Sequence, residues 1–486
     1  MTDEMLPTEA GAIAFSTAEL LPLVENLEGP VDTFTLEKAI KQDALAHAVA
    51  TGELVGDFAA CPPFDNLDQK KLRQEAKRGA EILRILQERD GQPLTTEDVL
   101  VGRVAEFRVQ QAVVVEASKR SAIAHAAGDT KTADFCDELL RGGLDYLYNA
   151  PTPELAGATA HAFRPSLDVV LESTDALVQQ TAQAFVERYP FMLEASGELP
   201  RLSPEIHDAI LKHLQETFGQ AFSELREEFG EISNDKIVAV TKRLLEKVGL
   251  AHIDEQGVRT GWDAKSVDDR AGFLADSRDE VVKCGTRSSE ITWEGYEKLA
   301  VHEVGDHAWR TRNSRELGSA LLEQDLPGAV DFEESLGMLF EEVWSGETEG
   351  IGRGDYRYLI ASYATGALDG VGHDKNETYQ FITGLKLMHL MATRVRQAKP
   401  VDLDALVTSA RRLMFEHTYR GFRGMPEGVV MIKDTGYEAL KVNIINYANS
   451  HRDDPEAVVS QLLIAKINTL DPEQLAFAEA EKAKTA

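Results

Sequence analysis

Residues 302–307 read His-Glu-Val-Gly-Asp-His, and their spacing dictates what the backbone there must do. Two imidazoles and a carboxylate within six residues suit a divalent zinc ion: two nitrogen ligands, and a glutamate placed to take a proton from water. In the common H-E-x-x-H element the histidines stand at i and i+4, on one helix face. Here they stand at i and i+5. An ideal α-helix turns roughly 100° per residue, which leaves His302 and His307 about 140° apart, too far round to grip one ion. The pair acts together only if the turn is widened into a π-bulge, or if the helix breaks before His307. Gly305 lies between them, and glycine most easily permits such a distortion. The plain alternative is two solvated histidines on an acidic helix.

A metal would need a third ligand. In residues 331–344 the apolar Leu336, Leu339, Phe340 and Val343 recur at helical spacing, with acid on the opposite face. Glu334 and Glu341 are seven apart, hence nearly eclipsed on that helix. Either serves as the ligand, the other then orienting a histidine or the metal from behind. The turn at Pro327-Gly328 sets this helix apart from the first, as a helix pair requires. A solvated acidic face is the competing interpretation.

These residues resemble a known family: the zinc metallopeptidases that include the microtubule-associated tyrosine carboxypeptidases and their bacterial relatives. Its H-E-x-x-x-H element is matched by His302, Glu303 and His307. Its Q-E-G-L-A-like segment is matched by Glu333-Glu334-Ser335-Leu336-Gly337, with Glu341 at the later glutamate. An arginine-glycine stretch, a Lys-Asp pair and a tyrosine follow in the family; here they read Tyr419-Arg420-Gly421-Phe422-Arg423-Gly424, Lys433-Asp434 and Tyr437. Fainter echoes are Pro62-Pro63-Phe64-Asp65, and Leu147-Tyr148-Asn149-Ala150-Pro151 where the family often has a Tyr-Gly-x-Pro turn. The resemblance implies His302, His307 and Glu334 as zinc ligands, Glu341 behind them, and Glu303 as the proton-transferring base of a carboxypeptidase. Ser335, Gly337 and Asn149 depart from the family's Gly, Ala and Gly, which marks a divergent member.

Physical chemistry gives the C-terminal residues a role of their own. A carboxypeptidase must hold a terminal carboxylate, and a forked guanidinium or an ammonium suits that task. Arg420, Arg423 and Lys433 are the candidates, and Tyr437 is placed to hydrogen-bond a developing oxyanion. The alternative is that these cations pair with the chain's own carboxylates. Residues 428–433 read as a strand of β-branched and apolar side chains. His373 sits in a loop-like segment, whereas His389 and His417 fall within helical stretches. Cys61, Cys136 and Cys284 carry no nucleophile motif.

Composition sets the frame. A chain of 486 residues with 43% hydrophobic content buries a large core in more than one lobe. Helical spacing dominates the first two hundred residues, including 65–90 and a helix entered through Thr95-Thr96-Glu97-Asp98. Short strands are expected at 257–262 and 280–284, just before the histidine helix at 294–309. The expected fold is α+β and predominantly α-helical: a mainly helical region over 1–230, then a gluzincin-like zinc peptidase region with a small sheet over 231–486. Three scattered cysteines, no basic leader and no long apolar run point to a cytoplasmic protein without a membrane anchor. A net charge of −31 disfavours nucleic acid, and favours a neutral or basic peptide or protein C-terminus as substrate unless the cleft holds local cations. Three alternatives remain: a dipeptidyl-peptidase-III-like aminopeptidase, a tailoring enzyme acting on a peptide-derived natural product, and a non-catalytic metal-bound binding module. The first has glycine immediately before its last histidine, where this chain has Asp306.

Overall fold

The computed structural model describes residues 38–54, 69–88, 94–268, 272–285, 291–324, 326–346 and 353–485. The Pro62–Asp65 echo and Cys61 lie outside them. Helices dominate, with two small sheets. The long helix α1 (Thr96–Ala127) begins where the sequence places it. Thr95 Oγ1 accepts from the Asp98 amide at 3.1 Å, and the Asp98 carboxylate accepts from the Thr95 amide at 3.0 Å, a reciprocal cap. It packs on α2 (Thr130–Tyr148).

Helix α2 ends at Asn149, whose φ of 57° and ψ of 125° lie in a region that favours glycine. Its side chain is an asparagine's, the kind that best tolerates positive φ after glycine. Substituting Asn149→Gly should therefore relieve strain and raise unfolding stability by about 1 kcal/mol. Chemical denaturation checks this; a loss of stability there would contradict it.

Strands occupy the expected stretch before the histidine helix. β1 (Ala251–Ile253) and β2 (Arg259–Gly261) form an antiparallel hairpin. β3 (Asp263–Val267), β4 (Phe273–Asp276) and β5 (Val281–Gly285) form a second sheet in the order β3-β5-β4. β5 runs parallel to β3 and antiparallel to β4, so β4 is an edge strand. The Gly285 amide bonds the Gly272 carbonyl at 3.0 Å, and the alternation of the ladder from there turns the Ala275 N–H and C=O away from β5. That free edge faces the histidine segment.

The histidine helix has three parts: α3 (Trp293–His302), a π-helical segment (Glu303–Ala308) and α4 (Trp309–Glu316). Thr292 caps it, accepting from the Gly295 amide at 3.1 Å. Then come α5 (Ala329–Ser345), α6 (Arg353–Ala364), α7 (Lys375–Arg396), α8 (Leu403–Phe422) and α9 (Lys433–Ser450). The strand expected over 428–433 is absent. Val429, Val430, Met431 and Ile432 are buried in an irregular link, tied to α8 by the Met431 amide on the Gly421 carbonyl at 2.6 Å, and Lys433 opens a helix instead. A short apolar run signals burial and does not specify a strand.

One apolar core joins early residues such as Phe163 and Phe185 to Tyr356, Phe381 and Phe415. A second collects Phe218, Trp262, Tyr296, Val304, Phe332, Leu336 and Ile444, and so wraps the histidine segment. No described helix is long and apolar enough to cross a membrane.

Candidate metal centre

The π-helical turn answers the spacing problem directly. Its i→i+5 hydrogen bonds bring residues five apart onto one face. The rings of His302 and His307 lie with centroids 5.2 Å apart, and both side chains are buried. Gly305 serves a different purpose from the one its flexibility suggests. A Cβ there would stand 3.0 Å from the Phe218 ring and 3.9 Å from Leu214, so glycine is what lets this turn seat against its neighbour. The residues it meets belong to or adjoin a second π-helical turn, Gln215–Gly219.

Helix α5 crosses beneath the two imidazoles and separates the roles of its glutamates. Glu341 Oε1 is 2.7 Å from His302 Nδ1, while Glu334 Oε2 is 3.9 Å from His302 Nε2. Glu341 thus fixes the ring from behind and leaves Nε2 for a metal. Among the described residues, His302, His307 and Glu334 form the group of potential ligands whose atoms all lie within 4.8 Å of one another. Two imidazole nitrogens and one carboxylate oxygen are a donor set that zinc accepts, with a position left open. On that chemistry, the residues present fit the metal the sequence implies.

Sequence patterning does not mark Gly337 as a site residue, although the position of the His302 ring depends on it. A Cβ at 337 would stand 2.8 Å from His302 Cδ2, Cε1 and Nε2 alike, so the ring rests directly on the glycine backbone. The available signal was a glycine interrupting a strongly helical stretch, where it costs about 1 kcal/mol against alanine. Gly337→Ala should displace the ring and weaken zinc retention by roughly 10-fold or more, the scale of a lost orienting contact. Competition with a chelator measures this. Unchanged retention would mean that the ring position is not set here.

Beneath the imidazoles lies a charged network that sequence patterning also missed. Asp306 and Arg310 are fully buried, and Glu333 is 2% exposed. Arg310 Nη1 stands 3.6 Å from Asp306 and 3.8 Å from Glu333, and Glu333 Oε2 is 3.7 Å from His307 Nδ1. Glu333 thus faces His307 from the side on which Glu341 faces His302, as an ion-pair partner at 3.7 Å where Glu341 makes a 2.7 Å hydrogen bond. Burial alone would lower the basicity of both imidazoles. The Glu341 bond outweighs it at His302, raising its pKa to about 9, and Glu333, Asp306 and Glu303 outweigh it at His307, raising it to about 10. The pocket is thus built for positive charge, and a cation entering it displaces protons.

Glu303 is buried beside both imidazoles, and its Oε2 accepts from the Ala275 amide on the free edge of β4 at 2.7 Å. Strand and carboxylate are held together by that bond. A cavity of about 410 Å³ opens alongside, lined by His307, Glu334, Ala275, Arg278, Lys433 and Lys466 among others. Cations do line the cleft, and they share it with acids such as Asp276 and Asp331.

Tyr437 on α9 is buried next to Glu334. Burial, then the charges of Glu334 and Asp434, push its hydroxyl pKa well up, so it remains a neutral donor. Ser335 ties the two helices, donating to the Asp331 and Tyr437 carbonyls at 2.6 and 2.7 Å. Arg420 is engaged by Asp434, with Nη2 to Oδ1 at 3.0 Å, so this candidate does pair with the chain's own acid. Lys433 lines the cleft. Arg423 ends α8, makes no ion pair among the described residues, and is not among the residues lining that cleft. His373 stacks on Tyr363 at 3.8 Å and contacts Asp369 and Glu377, which accounts for it without a site.

Compared with known proteins, the chain matches no family model, no curated protein and no solved structure.

Proposed function

We propose that this protein is a zinc-dependent peptidase of the carboxypeptidase type, with a gluzincin-like arrangement of edge strand and metal-bearing helix. The observation that carries the reading is the convergence of His302, His307 and Glu334, on a helix widened to bring the histidines together. Those three residues would hold the metal. When bound, zinc supplies Lewis-acid chemistry, polarising a carbonyl and making water acidic enough to act as a nucleophile near neutral pH.

The chain's own groups supply the rest. Glu303 is not a ligand; its carboxylate takes the proton of the attacking water and delivers it to the leaving amine. Its second task is to fix the β4 edge, whose outward Ala275 carbonyl is available to pair with an extended peptide. Tyr437 donates its hydroxyl hydrogen toward the oxyanion. The half-buried Glu341 behind His302 and the buried Glu333 behind His307 hold the rings in register.

A mass-spectrometric screen tests the reaction class. Full-length zinc-loaded protein is incubated with peptides that vary at the C-terminal residue. Loss of a single C-terminal residue is expected. Release of dipeptides from the N-terminus would favour the aminopeptidase alternative and overturn this reading.

A further inference from the structure

Asp434 faces two guanidiniums, and one of them belongs to a residue with no motif around it. Arg420 contributes one hydrogen bond at 3.0 Å; Arg357, on α6, places its Nε 3.8 Å from Asp434 Oδ2. One carboxylate between two arginines leaves a positive charge over. Asp434 stands one turn before Tyr437 on the same helix and next to Lys433, which lines the cleft, so this excess lies beside the oxyanion donor; the charge of Glu334 bears on both guanidiniums. Glu334 does not neutralise it when its own charge is committed to a cation.

Arg357 is also the less occupied of the pair. Its Nε donates to His417 Nδ1 at 3.3 Å, and its terminal nitrogens make no hydrogen bond to any described residue. The side chain is only 20% exposed. A desolvated guanidinium with an open fork is costly unless an anion completes it, and a carboxylate matches that fork with two parallel bonds.

We infer that Arg357 grips the ligand's carboxylate, with Arg420 and Asp434 as its brace, so the substrates are peptides with a free C-terminal carboxylate and not amidated ones. This rests on the carboxypeptidase reading, and adds Arg357 to Arg420, Arg423 and the cleft-lining Lys433 as a cation for that grip. A bracing role for Arg357 alone predicts a stability effect and no ligand discrimination.

The test is calorimetric binding of acetyl-phenylalanine and of its amide to the full chain, zinc-loaded and zinc-stripped, with Arg357→Gln and Arg357→Lys beside the wild type. Wild type should favour the acid by roughly 10- to 100-fold, the value of a charge-assisted pair. Arg357→Gln should lose that preference in both metal states without changing amide affinity, and Arg357→Lys should regain part of it. Equal affinity for acid and amide in the wild type would overturn the inference. So would an undiminished acid preference in Arg357→Gln. Trimming of C-terminal residues with that preference intact in Arg357→Gln refutes this inference alone. Acid preference lost in Arg357→Gln, with no trimming by the wild type, refutes the peptidase reading and leaves the carboxylate site standing.

Discussion

Glu303→Gln should keep its zinc and lose about 10²- to 10⁴-fold in turnover, the range attributed to a positioned general base. The substitution is nearly isosteric, and the glutamine carbonyl oxygen still accepts from the Ala275 amide, so the β4 edge stays in place. The metal stays because the three ligand atoms belong to His302, His307 and Glu334. Only the capacity to take a proton disappears. Steady-state rates on the best peptide from the screen, with zinc analysis of the same samples, provide the check. An undiminished rate would remove Glu303 from the chemistry. Loss of zinc with the rate would instead make it a structural member of the centre.

Arg310→Leu should cost about 3–5 kcal/mol of unfolding stability, the usual effect of removing one partner from a buried ion pair. Arg310 is fully buried between Asp306 and Glu333, and its loss strands the Asp306 carboxylate in the apolar core, while Glu333 keeps His307 and the charge of Lys466. It also strips donors from the Ala465 and Ile467 carbonyls, and a cation from the face of Phe332 at 4.9 Å. Denaturant titration reads the loss. Coupling distinguishes stranded charge from lost packing. If charge dominates, adding Asp306→Asn to Arg310→Leu restores part of the stability, since one uncompensated carboxylate is gone. Strictly additive losses would assign the cost to packing.

Much of the centre was legible in the sequence because it follows from periodicity. The i, i+5 separation of His302 and His307 demands a widened turn, and the segment is π-helical. The seven-residue separation of Glu334 and Glu341 places them on one face, and both reach His302. Which of them is poised as ligand was not fixed by spacing, because both satisfy it; the answer lies in which ring nitrogen each approaches. Strands before the histidine helix were legible from their β-branched residues and glycine turns.

What escaped depends on contacts between segments far apart in the chain. Gly337 is explained only by the ring of His302 lying on it, and Gly305 only by Phe218. Asp306, Arg310 and Glu333 resemble a solvated charged face in sequence; burial reverses their meaning, and burial is a tertiary property. Arg357 gains its interest from Asp434, on a different helix. The apolarity that suggests a strand over 428–433 is real, yet among the described residues no strand lies beside it to pair with.

If His302, His307 and Glu334 hold one metal, the metal content of the purified protein shows it. Full-length protein prepared with zinc available, then desalted, is analysed by mass spectrometry of the element beside His302→Ala. About one zinc per chain is expected in the wild type and little in the variant, since a structural or catalytic site loses its grip with one of three ligands. Much less than one zinc per chain in the wild type, or equal retention in His302→Ala, would contradict it.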